Sequence, residues 1–416
     1  MINRIFLITV LVSFSSVLYS QPKFDWGRQL GTKSEDFGKS IALDTWGNIF
    51  ISGWTKDSLC GKHLGGYDVF IYKLDSNGKK IWSRQIGTPQ DEQAQEIAVD
   101  MNGNCFITGG TKGGMEGKNK GESDIFLIKL DGDGNLLWSR QIGTEKEDDV
   151  EFLDIDASGN IFLTGSTKGT LTSENKGSKD AFILKYDTKG KLIFKKQFGD
   201  SKSDCGRGVA FDKNGNIYVC GVNGGDWGEP NPQNMDGFIA KFDNKGNLIW
   251  NKTFGTSVFD LATTLKIDKE GYIYVGGSTG GEFGGIQAGN GDAFIAKFDN
   301  SGEKLWIRQF GRNKWDGVLS VVFAKDSSED IILSGCQNWE SCEGYCRRYD
   351  NKGTLLWVEE FIPQGENGGT CGKDVAVDSK GNVYHIGGTG ANLFSENLGE
   401  HDIYVVKMID KRQPNK

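Results

Sequence analysis

Six carboxylates stand at matching points along this 416-residue chain: Asp36, Glu92, Asp148, Asp204, Asp260 and Asp316. Neighbouring members of the set are 56 residues apart. Hard cations such as calcium take oxygen ligands, so a ring of acids could hold Ca2+. A second role suits the same residues. An acid beside a turn accepts hydrogen bonds from nearby backbone N–H groups and fixes its own loop. Even recurrence favours that second role, because a shared site concentrates its ligands in one place. Asp131-Gly132-Asp133-Gly134-Asn135 has the look of a calcium loop, but Ile142 stands where the twelfth-position acid is needed. A hairpin turn is the better reading there.

Aromatic rings offer a different chemistry. Trp54, Trp227, Trp315 and Trp339, with Phe259, Phe283 and Phe394, lie in or beside polar, glycine-bearing segments. Rings in such places stack on sugars or anchor a protein partner. Their plainer use is to cap long loops as small satellite cores. Catalysis finds little footing. The chain has 3 histidines, and His385 sits inside an apolar run where packing is the natural role. No nucleophile elbow, phosphate-cradling loop or zinc-protease helix occurs, and no cofactor is required.

The elements that must position these groups follow from a repeat. Trp26, Trp82, Trp138, Phe194, Trp250, Trp306 and Trp357 open the same phrase, W-x-R-Q-(L/I/F)-G in its best copies. Within one unit, residues 95–100, 105–109, 124–130 and 135–142 are short runs rich in β-branched and aromatic residues. Gly, Asn and Asp turns or a long polar loop separate them. Such runs are hairpin-linked strands. Helical periodicity is absent. Four antiparallel strands in each of seven units give an all-β, seven-bladed β-propeller. Packing between blades is expected to bury the repeating Trp. The chain enters with a fourth-strand phrase at Trp26 and leaves after a third strand at 402–408. The N-terminal strand is therefore expected to complete the last blade and close the ring.

The unit resembles a bacterial seven-bladed propeller repeat family often found in exported proteins. The match rests on Asp-x-x-Gly-Asn-(Ile/Val)-(Tyr/Phe), as in Asp212 to Tyr218, and on Asp-(Ala/Val/Ile)-Phe-Ile-x-Lys-(Tyr/Phe/Leu)-Asp, as in Asp292 to Asp299. It covers about residues 24–410 and implies a fold, since members share no single activity. Blade six departs most: Asp330 replaces Gly-Asn.

In such a blade the long loops between strands two and three share one rim, the top, with the links to the next blade. These aromatics and the six acids map to that rim. Cys205 and Cys220 reach it on neighbouring strands, so a bridge between them is expected to be possible, as is one between Cys336 and Cys371. Cys105 replaces a core Ile and is expected to be a buried free thiol.

Residues 1–20 read as an export signal, with Arg4, an apolar stretch and Ser20 before the cut. Residues 21–411 form the propeller and 412–416 a short polar tail. Removing the signal takes the formal net charge from −8 to −9, because Arg4 is its one charged side chain. An acidic chain without basic clusters is a poor partner for nucleic acid or an anionic membrane. No integral membrane segment remains after signal removal. The expectation is an exported, periplasmic or secreted monomer that binds a protein or glycan through its top loops. Two alternatives stand beside it: a polysaccharide-active enzyme using Asp260 or Asp316 at the channel mouth, and a periplasmic envelope-assembly scaffold.

Overall fold

A computed structural model of the chain describes residues 21–410, apart from 173, 225–234, 327, 339–341 and 364–367. The signal segment, the polar tail, Trp227 and Trp339 therefore lie outside the described residues.

The strands form seven four-stranded antiparallel sheets. Blade one pairs Asp36–Leu43, Ile49–Thr55, Asp68–Leu74 and Lys80–Ile86 in that order. Blades two to six repeat this with consecutive strands. Blade seven takes Thr370–Val377, Val383–Thr389 and Asp402–Ile409 from the end of the chain and Lys23–Leu30 from its start. Trp26 pairs with Lys407 and Leu30 with Ile403. The ring is closed as the incomplete ends of the sequence require, and the edge that Asp402–Ile409 would otherwise expose is covered.

Apolar cores fill the spaces between blades. One cluster joins Ile41, Ile49 and Phe70 of blade one to Tyr384, Ile386 and Val405 of blade seven. Third strands are buried along their length, as in Asp68–Leu74. Fourth strands cover one face and show the other to solvent. That position corrects the expectation for the repeating rings. Six of the seven are half-buried, and Trp357 alone is fully buried.

Each letter of the repeating phrase has a separate task. Trp82 donates its indole N–H to the Gly132 carbonyl (2.9 Å), and Arg84 Nε donates to that of Gly134 (2.9 Å). Both acceptors lie in the tight turn of the next blade, where Gly134 has φ 78°. A Cβ there would also meet the Trp82 ring at about 3.0 Å. Gln85 works at the other end. Its Nε2 donates to Asp68 (2.8 Å), and its Oε1 accepts the N–H groups of Cys60 and Gly61 in the long top loop. Gln141 and Gln309 do the same in their blades.

The two family phrases also meet. Lys241 lies 3.9 Å from Asp212 and 4.9 Å from the centre of the Tyr218 ring. In blade six Arg348 replaces that lysine. It is buried, and it donates to Asp330 (2.8 Å), Asp326 (2.7 Å) and Asp410 (2.5 Å). The Asp330 departure in the sequence is thus one half of a substituted ion pair.

Candidate binding face

The six recurrent acids begin the inner strands of blades one to five and precede that of blade six. All are buried. Asp36 accepts the Thr32 N–H (2.5 Å), the Thr32 hydroxyl (2.8 Å) and the Thr55 hydroxyl (2.5 Å). Glu92 takes the same contacts from Thr88 and Thr111, and Asp148 from Thr144 and Thr167. Asp204 accepts from Asp200 N–H, Asp260 from Thr256, and Asp316 from the N–H groups of Arg312 and Asn338. Burial raises each carboxyl, Asp204 to about 6, while these donors pull it back. Each acid is used inside its own loop, and the structure does not bring the six together. Among the described residues no three His, Cys, Asp or Glu side chains converge to hold a metal ion.

The aromatic set divides. Trp54 is half-buried and stacks on Phe37 at 5.1 Å with planes 9° apart, and Tyr67 meets it edge-on at 4.8 Å. Trp315 stacks on the buried Phe259 at 4.2 Å and packs with Val222, Met235 and Leu261. Phe283 stacks on Phe254 at 5.7 Å, and Phe394 lies edge-on to Phe24 at 6.1 Å. Those last three groups are satellite cores beneath loops. The Phe37–Trp54–Tyr67 trio is different because it adjoins open space. Tyr67 lines a top-face cleft of about 200 Å³ across blades one to three, with Asp91, Gln93, Gln95, Asp149 and Glu151.

Charge in and beside this cleft is balanced locally. Tyr67 donates to Glu35 (2.8 Å), and Lys112 holds Asp91 (2.9 Å). Lys179 lies 3.2 Å from Asp149 and 3.5 Å from Glu147. Burial and a shared hydrogen bond with Glu147 raise the Asp149 carboxyl, and the same hydrogen bond lowers that of Glu147.

Sequence reading missed the residues on the axis. Every inner strand carries a bulge at one register point, and the extra residues are Lys39, Gln95, Glu151, Arg207, Thr263, Leu319 and Lys373. A bulge re-aims a side chain out of the ladder. Their signal was present, since the first six sit three places after each recurrent acid.

One disulfide joins Cys336 of blade six to Cys371 of blade seven, with Cα atoms 5.3 Å apart. The Cys205–Cys220 bridge does not form, and both are free thiols. Cys205 pairs with Val222, whereas the bulge at Arg207 places Gly208 opposite Cys220. Residues offset by two along paired strands are about 7–8 Å apart, beyond the usual disulfide span. Cys105 is a buried free thiol, as its core position implies. His385 is buried between Phe361 and Tyr404 rings at 4.3 and 5.7 Å, with Nε2 2.8 Å from the Ser334 hydroxyl. Burial lowers it to about 3, so it is neutral and packed.

A family profile described as beta-propeller repeat matches residues 25–59, 81–114 and 193–222. Each segment starts at a repeating ring or next to one, and the closed seven-bladed ring carries the same unit throughout. Over those segments the chain is similar to that repeat family, and its fold is a seven-bladed β-propeller. It is 25% identical over 295 residues to Regulatory protein FlaEY of Caulobacter vibrioides, a match that covers 65% of the propeller chain and 30% of that relative. It spans about a third of the length of the curated relatives it matches. In fold, the repeat protein is similar to the Pan2 WD40 domain of Neurospora crassa (TM-score 0.52, 13% identity, covering 94% of this chain and 96% of that one). It is also similar to YCF48, solved bound to D1 peptide (TM-score 0.50, 10% identity, covering 96% and 99%). Among the described residues no helix is long and apolar enough to cross a membrane.

Proposed function

We propose that this repeat protein is an exported, non-enzymatic binding scaffold that recognises a protein or glycan partner through its top face. The observation that carries the reading is Tyr67. It touches Trp54 at 4.8 Å and lines the polar cleft of about 200 Å³. An aromatic platform thus runs into a recess where the side chains of Gln93 and Gln95 have no partner among the described residues. Rings supply contact area at low entropic cost, and primary amides supply paired donors and acceptors for peptide or sugar hydroxyl groups. A peptide-bound neighbour of the same fold, YCF48, lends support to a protein ligand. The acids of the enzymatic alternative, Asp260 and Asp316, are 0% and 2% exposed and already hydrogen-bonded, which favours binding over turnover.

Export rests on residues 1–20 and is part of the proposal. The test is an array of glycans and envelope or matrix proteins probed with the purified chain, with and without chelator. Trp54→Ala and Gln93→Ala should each lower binding to the retained ligand while circular dichroism stays unchanged. Undiminished binding by both variants would remove this face from consideration, and loss on chelation would restore a cation to the account.

A further inference from the structure

The far ends of the inner strands enclose a second cavity, of about 400 Å³, at the end of the axis opposite the partner-binding face. Its size falls within the range of small-molecule sites, about 300–1,000 Å³. The walls are mostly apolar. Leu43, Val99, Phe152 and Phe323 border it from four different blades. Each is half-buried, so part of each apolar side chain faces the opening.

Polar groups converge at the inner end. Lys266 is held by Asp154 at 3.0 Å and stands over the Phe152 ring at 5.5 Å. Lys325, at the exposed rim, is lowered by burial against the pull of Asp378. Glu96 and Asp374 remain, and neither has an ion pair among the described residues. Ser40 Oγ is hydrogen-bonded to both carboxyls, at 2.8 Å from Asp374. Their oxygens therefore stand within two hydrogen-bond lengths of one another.

A hydroxyl has one hydrogen to donate. Asp374 also accepts the N–H groups of Ile41 (2.9 Å) and Val375 (2.8 Å), which favour its ionised form. The Ser40 hydrogen goes to that charge, and the contact with Glu96 then needs a proton on Glu96 itself. Burial, with Asp374 beside it, raises Glu96 well above the carboxylate range, in agreement. Burial raises Asp374 too, and its donors pull it back.

We propose that this cavity is a binding site for a small amphipathic amine, with a primary ammonium seated between Glu96 and Asp374 and an apolar body against Leu43, Val99, Phe152 and Phe323. An ammonium has three donors, and N–O distances of about 2.8 Å let one nitrogen bridge the two carboxyls. The apolar walls supply contact for the stem, as small-molecule sites require. An anion would meet the Asp374 charge.

Binding exchanges one cation for another. The guest enters as R–NH3+, Glu96 gives its proton to solvent, and the net charge of the cavity is unchanged. Glu96 is faced by Lys39 and Ser40 from blade one, Glu151 and Asp154 from blade three, Lys266 across the axis, and Lys373 and Asp374 from blade seven. Thr108 is its register partner.

The test is a calorimetric titration of the purified full chain with n-hexylamine at neutral pH. The controls, n-hexanol and hexanoate, carry the same tail. Saturable amine binding is expected, about tenfold or more tighter than that of hexanol, with none for hexanoate. Glu96→Gln and Asp374→Asn keep a hydrogen-bond partner for Ser40. Each should weaken the amine about tenfold and change hexanol little. Equal affinity for hexylamine and hexanol, or variants that bind the amine as wild type does, would overturn the site. Wild type alone supplies a second readout. Heats in two buffers of different ionisation enthalpy should show about one proton released per amine bound. No release would overturn the site as well. Neither measurement involves Trp54, Tyr67 or Gln93, so the amine site stands or falls apart from partner binding.

Discussion

The indole N–H of Trp26 donates to the carbonyl oxygen of Ser76, 3.1 Å away. Trp26 belongs to the last blade through the first strand of the chain, and Ser76 lies in a turn of the first blade. The contact is the same clasp that Trp82 makes with Gly132, but here it spans the closure of the ring. Trp26→Ala should lower stability by about 2 kcal/mol, less than for a fully buried ring because one face is open. Urea unfolding would show a lower midpoint with an unchanged slope. Removing residues 21–30 should do more, uncovering the edge of Asp402–Ile409 and driving self-association in size-exclusion chromatography.

Removing the Arg348 side chain should be costly. Three carboxylates, Asp326, Asp330 and Asp410, converge on it in a buried site, and Asp410 also accepts the Trp357 indole N–H (2.8 Å). Arg348→Ala leaves that buried charge unmatched and should cost about 3–5 kcal/mol. Arg348→Lys should recover part of the loss, since one ammonium cannot reach three acceptors on a planar fork. Thermal melts of the two variants would rank them.

His385 and Asp204 should give pH dependences of opposite sign. His385 is held neutral down to about 3 in the fold, below its ordinary 6.5. The unfolded chain takes up that proton first as pH falls. Stability tied to His385 is therefore complete above about 6.5 and lost toward 3, by up to about 1.4 kcal/mol per pH unit. Asp204 titrates near 6 in the fold, above its ordinary 3.8. Here the folded chain takes up the proton first, so its contribution grows as pH falls from 6 to 3.8. His385→Gln and Asp204→Asn, each subtracted from wild type in urea titrations across pH 3.5–7, should isolate the two slopes. Equal pH profiles for wild type and His385→Gln would contradict the buried neutral imidazole.

Thiol counting separates the cysteines. Six are free and two are bridged. A thiol reagent in denaturant should find six groups before reduction and eight after it. Native protein should react slowly, because burial raises Cys105 and Cys205 to about 12. Reducing Cys336–Cys371 reopens a 35-residue separation and should cost about 3–4 kcal/mol in the chain-entropy account.

Much of the fold was legible because repetition exposes it. Trp26 and the third-strand run at 402–408 declared the closure, and the positions of Cys336 and Cys371 allowed their bridge. The site was less legible. Asp36 and its five counterparts carried a ligand reading beside the favoured loop-anchor one, and Thr32 and Thr55 are seen to take up both oxygens of Asp36. Cys205 and Cys220 looked bridgeable because spacing alone does not give the register, which pairs Cys205 with Val222 and leaves Cys220 two residues away. Phe259 and Trp315 read as loop caps or as anchors, and they pack with Val222 and Met235.

By itself the sequence determined the number of blades, their four-strand composition and the way the ends meet, since turn chemistry and alternating burial act within one unit and its neighbour. Tertiary structure decided which rings border open space and which side chains reach the axis. Lys39 and Lys373 lie 334 residues apart in the chain. They become neighbours only when the ring closes, and a contact created by closure leaves no local trace in either repeat.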